Sequence, residues 1–303
     1  MVFMDCCSYL FDLRTLTWGF GVLVTYYLFK KRSGKEDKSG KVCWRMSKGL
    51  VACVAYQGQR QTMEDRMNII RSGKVGDIYS VFDGHGGEFA VEFVEKMLIS
   101  RLLTRLYKPF SNGLKGRYLQ SMIRQEIAYV ANLLNKIEDE SGEKSGTTVC
   151  VTLKKNDKIY IANVGDSRAL VCTNDNKIIQ ITRDHKPNDK LERKRIEKSG
   201  SYVKFVQTIC RLEGILSVSR TLGDRQVGGV SNEPDIFVRN TQDCKFLLMA
   251  TDGFWDAFTN EEAVETILQR RKQFSLKNTC EFLTKMAEVY GSMDNITVLI
   301  AEF

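Results

Sequence analysis

Prolines are few and paired cysteines are absent in this sequence, and each of these features excludes a class of structure. Only three prolines occur in 303 residues, so no proline-rich linker or spacer divides the chain. The nine cysteines include no C-x-x-C pair, which argues against a zinc site and against a disulfide framework. Unpaired cysteines in an odd number favour a reducing compartment, and the sequence contains no internal repeat that would indicate a solenoid.

The net charge of +8 is concentrated near the N-terminus. Residues 1–48 hold nine lysines and arginines against four acids, so the remaining chain is only weakly basic. A basic leader gives no support to nucleic-acid binding by the rest of the chain. The composition, 43% hydrophobic and 27% charged, is ordinary for a globular protein, and the length permits one large domain with a full core.

An uncharged apolar stretch, residues 15–29, precedes a cluster of three basic residues. As a helix it spans about 22 Å, short of the ~30 Å hydrocarbon core, but extension back to Tyr9 reaches full length. We predict a single-pass membrane anchor over residues 1–32, with the endoplasmic reticulum as one candidate membrane. The basic flank then places the remaining chain in the cytosol. An in-plane amphipathic helix, a cleaved signal and a buried helix are the alternatives.

The segments around this anchor complete the predicted organisation. Cys6 and Cys7 are candidate acylation sites beside the anchor. Residues 33–48 are polar and charged, which predicts a tether between the membrane and a folded domain. The domain itself is predicted over residues 49–303.

Acidic residues stand at the ends of four short apolar runs. Residues 78–82 are too few for a helix and predict a buried strand, which ends on Asp83. Similar junctions carry Asp166, Asp252 and Asp294. One such acid alone is typical of a solvated turn, but four predict carboxylates gathered at one edge of a sheet around a cation. Oxygen ligands without cysteine or histidine pairs favour Mg²⁺ or Mn²⁺ over Zn²⁺.

Strands occur in groups in this sequence, and helices occur in pairs. Helical periodicity appears twice in succession after the Asp83 strand and twice more over residues 261–271 and 276–290, whereas residues 149–181 form a run of strands. Residues 188–198 predict a charged helix, and residues 199–229 predict an irregular region. This grouping argues against a doubly wound sheet and predicts an α+β fold of stacked antiparallel sheets with helices outside.

Eight short motifs follow one another along residues 49–303. They are Arg60-x-x-Met63-Glu64-Asp65, Asp83-Gly84-His85-Gly86-Gly87, Ser145-Gly146-Thr147-Thr148, Gly165-Asp166-Ser167-Arg168, Ser219-Arg220-x-Leu222-Gly223-Asp224, Glu233-Pro234, Asp252-Gly253-x-Trp255-Asp256 and Asp294-Asn295. In type and order they resemble the metal-dependent protein phosphatases of the protein phosphatase 2C (PPM) family. The anchored N-terminus and the Asp184-His185-Lys186-Pro187 region are most similar to its membrane-anchored protein phosphatase 1-like subgroup.

The resemblance implies a β-sandwich of two antiparallel sheets flanked by pairs of helices, with two Mn²⁺ or Mg²⁺ ions at one end. It also implies a role for each matching residue. Asp83 bridges both ions, the Gly84 carbonyl binds one, Asp252 and Asp294 hold the other, Glu64 and Asp65 position metal-bound water, Asp166 and Asp256 help form a weaker third site, and Arg60 holds the phosphate.

The implied reaction is hydrolysis of phosphoserine and phosphothreonine in proteins by a water or hydroxide that bridges the two ions. Cations are needed because the doubly charged ester repels hydroxide. The departing alkoxide needs a proton, and His85, with an ordinary histidine pKa of ~6.5, suits a general acid. The alternative is that His85 only holds neighbouring groups by hydrogen bonds, and His185 is expected to be structural. No cysteine is followed six positions later by an arginine, so the loop of cysteine-dependent phosphatases is absent and no phosphoenzyme is required.

The expected partners are phosphoprotein substrates, with components of stress-activated kinase cascades as the expectation from the family. We expect a monomer that binds the membrane through its N-terminus and does not bind nucleic acid. The alternative function is a catalytically silent module of the same fold that binds partners at a membrane. Gly200-Ser201 and Cys210-Arg211 depart from the family pattern, which leaves the substrate preference open.

Overall fold

Two antiparallel sheets form the centre of the computed structural model, which describes residues 35–36, 40–73, 75–107 and 116–303. The strands are β1 (Lys35–Glu36), β2 (Val42–Lys48), β3 (Val51–Tyr56), β4 (Arg66–Ile70), β5 (Asp77–Phe82), β6 (Gly84–His85), β7 (Gly146–Thr147), β8 (Val149–Lys155), β9 (Lys158–Val164), β10 (Arg168–Thr173), β11 (Ile178–Gln180), β12 (Val203–Val206), β13 (Ile209–Leu212), β14 (Leu222–Gly223), β15 (Asp235–Asn240), β16 (Cys244–Ala250) and β17 (Ile296–Glu302). The helices are α1 (Phe89–Leu106), α2 (Gly116–Ser141), α3 (Lys190–Lys198), α4 (Asp252–Trp255), α5 (Asn260–Arg270) and α6 (Leu276–Val289).

The larger sheet has seven strands in the order β1-β2-β3-β17-β16-β10-β11, and the smaller has five in the order β15-β9-β8-β5-β4. A three-stranded sheet, β14-β7-β6, and the hairpin β12-β13 lie outside these two. Strands β5 and β9 both run antiparallel to β8, so they end at the same edge of the five-stranded sheet. This edge carries Asp83 and Asp166, which follow β5 and β9.

Both faces of the central strands are covered, which explains why their sequences are nearly continuous apolar runs. In β5, Ile78 and Phe82 pack with the helices, whereas Tyr79 and Val81 pack between the two sheets. Strand β17 alternates in the same way between the helices of the opposite layer and the space between the sheets. Burial of apolar surface on both faces stabilises each strand by about 25 cal/mol per Å².

The helices form the two outer layers. Helices α1 and α2 cover the five-stranded sheet, and α4, α5 and α6 cover the seven-stranded sheet. Three helices begin at side-chain caps on Asp189, Thr259 and Ser275, which accept hydrogen bonds from the first-turn amides. The order helix, sheet, sheet, helix confirms the predicted fold of stacked antiparallel sheets with helix pairs outside.

The predicted tether is wrong over part of its length. Residues 42–48 form β2, which pairs along its whole length with β3 and extends the seven-stranded sheet. Cys43 is buried, and Trp44 and Met46 pack against the cluster between the sheets. Lysines at both ends of this segment make its sequence look polar, as the sequences of edge strands often do. The pairing of β2 with β3 shows that the folded domain begins before residue 49.

The region over residues 199–229 is also more regular than the sequence predicts. It contains the hairpin β12-β13 and the short strand β14. The hairpin strands have only four residues each and expose Phe205 and Ile209, so they lack the buried alternating face that predicts a strand.

The predicted membrane anchor over residues 1–32 lies outside the described residues. Within the described ranges, no helix is both long enough and apolar enough to cross a bilayer.

Candidate active site

Three carboxylates predicted at separate strand ends come together. One oxygen each of Asp83, Asp166 and Asp252 lies within 4.8 Å of the others. Asp83 follows β5, Asp166 lies between β9 and β10, and Asp252 follows β16 and opens α4. The group therefore draws its acids from the same edge of both sheets.

The electrostatics of this group fit a divalent cation. Removal from water, and then the charge of Asp252, raises the pKa of Asp83 well above its ordinary value. The pKa of Asp252 is likewise raised, by removal from water and then by the charge of Asp166. Asp166 is only 1% exposed, and among the described residues its buried Oδ1 has no hydrogen-bond donor. Crowded carboxylates with an unsatisfied oxygen are the ligand set that Mg²⁺ or Mn²⁺ takes.

Hydroxyl groups of two other motifs hold Asp83 in place. The Asp83 amide donates to Thr148 Oγ1 at 3.1 Å, and its carbonyl accepts from the Thr148 amide at 2.8 Å. Thr148 Oγ1 also lies 2.8 Å from Ser167 Oγ, next to Asp166. These bonds link the backbone that carries Asp83 to the loop that carries Asp166.

The loop that carries Asp252 packs directly against the one that carries Asp294. A Cβ atom at Gly253 would lie 2.1 Å from the Asn295 carbonyl oxygen, so only glycine permits this approach. Asp294 is not in the close group of three, but its charge raises the pKa of both Asp83 and Asp252. It therefore lies within electrostatic reach of the cluster.

Arg60 reaches the same site from the loop after β3. Its guanidinium donates to Asp294 Oδ2 at 2.7 Å, and its side chain is largely exposed. The charges of Asp294, Glu64 and Asp83 outweigh the effect of burial and raise the pKa of Arg60. An exposed, permanently charged guanidinium at the rim of the cluster is suited to a phosphate.

The two acids after Arg60 differ in their surroundings. Asp65 is buried, and its Oδ2 accepts hydrogen bonds from Thr251 Oγ1 at 2.9 Å and Thr297 Oγ1 at 2.6 Å. Burial raises the pKa of Asp65 to about 7. Glu64 is half-buried, and its amide donates to Asn295 Oδ1 at 2.7 Å. Asp65 is thus bonded to the residue before Asp252 and lies within electrostatic reach of Asp83 and Asp294, and Glu64 is held beside Asp294 through Asn295.

A lysine that is not among the predicted site residues enters the cluster. Lys186 Nζ lies 3.1 Å from Asp166 Oδ2. Burial opposes protonation of Lys186, but the charges of Asp166, Asp252 and Asp256 outweigh it and raise its pKa. Asp256, predicted to belong to a third metal site, is exposed at the end of α4, and its charge also raises the pKa of Asp252.

The two histidines lie in different environments. His85 Nε2 is 2.7 Å from Asp224 Oδ2 at the edge of the site. Burial alone would lower the pKa of His85, but the hydrogen bond and the charge of Asp224 outweigh it and raise that pKa. His185 is fully buried, where its Nδ1 accepts from the Gly165 amide and its Nε2 lies 3.2 Å from Asp235. His185 is therefore part of the scaffold, as expected.

Comparison with known proteins agrees with this geometry. A family model described as protein phosphatase 2C matches residues 50–296. The chain belongs to the protein phosphatase 2C family. Bovine protein phosphatase 1L is 34% identical over 272 residues, which cover 86% of this chain and 74% of the relative. A probable protein phosphatase 2C 71 of Arabidopsis thaliana is 36% identical over 290 residues, 94% of this chain and 62% of the relative.

Solved structures share the protein phosphatase 2C fold. A C. elegans sex-determining protein superposes with a TM-score of 0.75 at 25% identity, over 83% of this chain and 64% of that one. A serine-threonine phosphatase 2C of Toxoplasma gondii superposes with a TM-score of 0.71 at 22% identity, over 86% and 96% of the two chains. At that identity the second likeness concerns the fold alone.

Within this protein phosphatase 2C site, sequence reasoning missed three contributors. Lys186 lies in the Asp184-His185-Lys186-Pro187 region, where nothing in the sequence marks the lysine as a site residue. Asn295 was noted only as the neighbour of Asp294, yet its amide donates to the carbonyls of Gln57 and Thr62 and holds the loop that carries Arg60. Asp224 was noted only as the end of a motif. In the sequence, Asp224 directly follows Gly223 at the end of a short strand, and this pattern could have indicated a site residue.

Proposed function

We propose that this chain hydrolyses phosphoserine and phosphothreonine in proteins with the help of two divalent cations and without a phosphoenzyme. The observation that supports the proposal best is the approach of Asp83, Asp166 and Asp252 to within 4.8 Å of one another. Three carboxylates this close repel one another strongly without a cation between them. Membership of the protein phosphatase 2C family supports the choice of a phosphate ester as substrate.

The proposed ligands are residues of this chain. Asp83 and the Gly84 carbonyl would hold the cations with Asp252 and Asp294. Mn²⁺ or Mg²⁺ bound there would neutralise the phosphate dianion and activate a water molecule to attack phosphorus. Glu64 and Asp65 would orient that water.

Around these ligands, Asp166 and Asp256 would contribute a weaker third site, in competition with the ammonium group of Lys186 for Asp166.

Arg60 would bind the phosphate oxygens in exchange for its present contact with Asp294. An unchanged KM for a phosphopeptide in Arg60→Ala would contradict that role.

Metal removal tests the proposed function directly. The purified chain, given a phosphothreonine peptide, is expected to release phosphate with Mn²⁺ present, to lose activity in excess EDTA and to regain it when Mn²⁺ is restored. The readout is inorganic phosphate. Full activity after EDTA and dialysis would contradict the proposal, and no activity with any divalent cation would favour the silent binding module.

His85 is proposed as the general acid that protonates the departing oxygen. His85→Gln is expected to lower kcat for a phosphothreonine peptide by roughly 10² or more, because general acid catalysis is typically worth 10²–10⁴. The loss should be much smaller for 4-nitrophenyl phosphate, whose leaving group is stable as an anion. Steady-state kinetics on both substrates provide the measurement, and an equal loss on both would contradict the acid role.

The membrane anchor over residues 1–32 stays a prediction from the sequence. We propose that it places the phosphatase domain on the cytosolic face of a membrane. Carbonate extraction of cell membranes is expected to leave the full chain in the pellet and a chain lacking residues 1–32 in the supernatant. Equal distribution of the two would contradict the anchor.

A further inference from the structure

A buried carboxylate holds the ring of His85. Asp224 is only 2% exposed, and its Oδ2 lies 2.7 Å from His85 Nε2. The same oxygen accepts a hydrogen bond from Thr221 Oγ1 at 2.8 Å. The His85 side chain is 31% exposed, and among the described residues its Nδ1 makes no hydrogen bond. One ring nitrogen is therefore fixed by the protein, while the other is left for a substrate.

The three-stranded sheet brings this pair together across a glycine. In the register of β6, β7 and β14, Gly146 lies opposite His85 on one side and opposite Gly223, the neighbour of Asp224, on the other. A Cβ atom at Gly146 would lie 2.0 Å from Asp224 Oδ2 and 2.6 Å from His85 Nε2. Any side chain at position 146 would therefore collide with both members of the pair.

The backbone at Asp224 is also held in an uncommon conformation. Its φ of 57° lies in the left-handed region, which residues other than glycine seldom adopt. The next amide, of Arg225, donates to Glu138 Oε2 at 3.0 Å, and Glu138 is buried near the end of α2. A strained backbone fixed to a helix in this way indicates that the position of the Asp224 carboxylate is specified by the fold.

We propose that Asp224 is a positioning residue for His85, which it orients so that Nδ1 faces the leaving oxygen of the phosphoserine or phosphothreonine ester. This inference rests on the proposed function. By accepting a hydrogen bond from Nε2–H, Asp224 fixes the ring orientation and keeps that proton on Nε2. As water forms its bond to phosphorus, the P–O ester bond breaks and its electron pair goes to the leaving oxygen. That oxygen takes the proton from Nδ1, and the ring returns to the neutral form with Nε2–H still on Asp224.

The test compares two substrates that differ in their need for a proton. In Asp224→Ala at saturating Mn²⁺, we expect kcat for a phosphothreonine peptide to fall roughly 100-fold, the lower end of general acid effects. We expect kcat for 4-nitrophenyl phosphate to stay close to that of the parent. Asp224→Asn retains an oxygen that accepts from Nε2–H, so its loss should be smaller. Asp139→Asn is the matched control, because this exposed acid lies near the same loop, 3.7 Å from Arg225, and should change neither rate.

Two further measurements separate positioning from a general structural role. The double variant His85→Gln/Asp224→Ala should be no slower on the peptide than His85→Gln alone, because the two residues act as one unit. Mn²⁺ binding by calorimetry should be unchanged in Asp224→Ala. If that variant does not fold, Gly146→Ala should show the same selective loss on the peptide.

Equal losses on both substrates, additive losses in the double variant, or full activity of Asp224→Ala on the peptide would each overturn the inference. Failure of the proposed function looks different, because the parent itself would then show no Mn²⁺-dependent hydrolysis of either substrate.

Discussion

Asp252→Asn is expected to lower Mn²⁺-dependent phosphate release by roughly 10³ while it raises the stability of the metal-free protein. The activity falls because a cation in a hydrolytic site supplies several kcal/mol of charge stabilisation, and each 1.36 kcal/mol is about tenfold in rate. The stability rises because a neutral amide at position 252 no longer repels Asp83 and Asp166, which lie within 4.8 Å in the parent. Solvent screening of a partly exposed carboxylate limits this gain to the order of 1 kcal/mol.

The pH dependence of that gain has a definite sign. Because the folded-state pKa of Asp252 is raised above 3.8, its ionisation destabilises the metal-free fold as the pH rises through the folded-state pKa. The advantage of Asp252→Asn should therefore be small near pH 4 and should grow toward neutral pH. Urea unfolding in EDTA at several pH values measures it.

Asp157→Asn provides the matched control, because Asp157 is an exposed acid in the turn between β8 and β9, remote from the cluster. It should change neither the activity nor the unfolding free energy of the metal-free protein. A destabilised Asp252→Asn protein that retains parental activity would contradict both halves of the prediction.

Glu192→Gln is expected to lower the free energy of unfolding by roughly 3 kcal/mol at pH 7. Glu192 is 1% exposed and accepts hydrogen bonds from Arg220, Arg195 and Ser219. Hydrogen bonds from Arg220 and Ser219 outweigh burial and lower the pKa of Glu192 from 4.5 to about 2. A shift of that size corresponds to roughly 3 kcal/mol, and the variant also leaves the charge of Arg220 less well paired.

The same shift predicts how the deficit depends on pH. A lowered folded-state pKa contributes stability that is present above pH 4.5 and is lost as the pH falls toward 2. Parent and Glu192→Gln should therefore converge in denaturant titrations as the pH is lowered through this window. Glu197→Gln is the control on the same helix, because the Glu197 side chain forms an exposed pair with Arg193 and its loss should cost less than about 0.5 kcal/mol. A deficit that does not change with pH would contradict the ionic origin of this stability.

The acidic residues of the site could be predicted from the sequence, but the distances between them could not. An apolar run that ends in an acid is a local pattern, so Asp83, Asp166 and Asp252 were all visible in the sequence. Which of these acids are in contact depends on how the edges of two sheets align, and no local pattern encodes that alignment. Asp294 was predicted on the same signal and lies near the group but outside its closest set.

Contacts between residues far apart in the sequence could not be predicted, for the same reason. His85 and Asp224 are 139 positions apart, and their contact requires Gly146 between them. The sequence predicts a tether over β2 because Arg45, Ser47 and Lys48 are polar or charged, and only its pairing with β3 identifies a strand. The helices were easier to predict, because the 3.6-residue period is contained within each segment.

Anomalous diffraction at the manganese absorption edge, from a crystal soaked in Mn²⁺, would locate the cations on which the proposed hydrolysis depends. We expect anomalous peaks between Asp83, Asp252 and Asp294, and the loss of those peaks in Asp83→Asn. Manganese bound only elsewhere on the chain, or no peak at all in a crystal of protein that hydrolyses the phosphopeptide, would contradict this expectation.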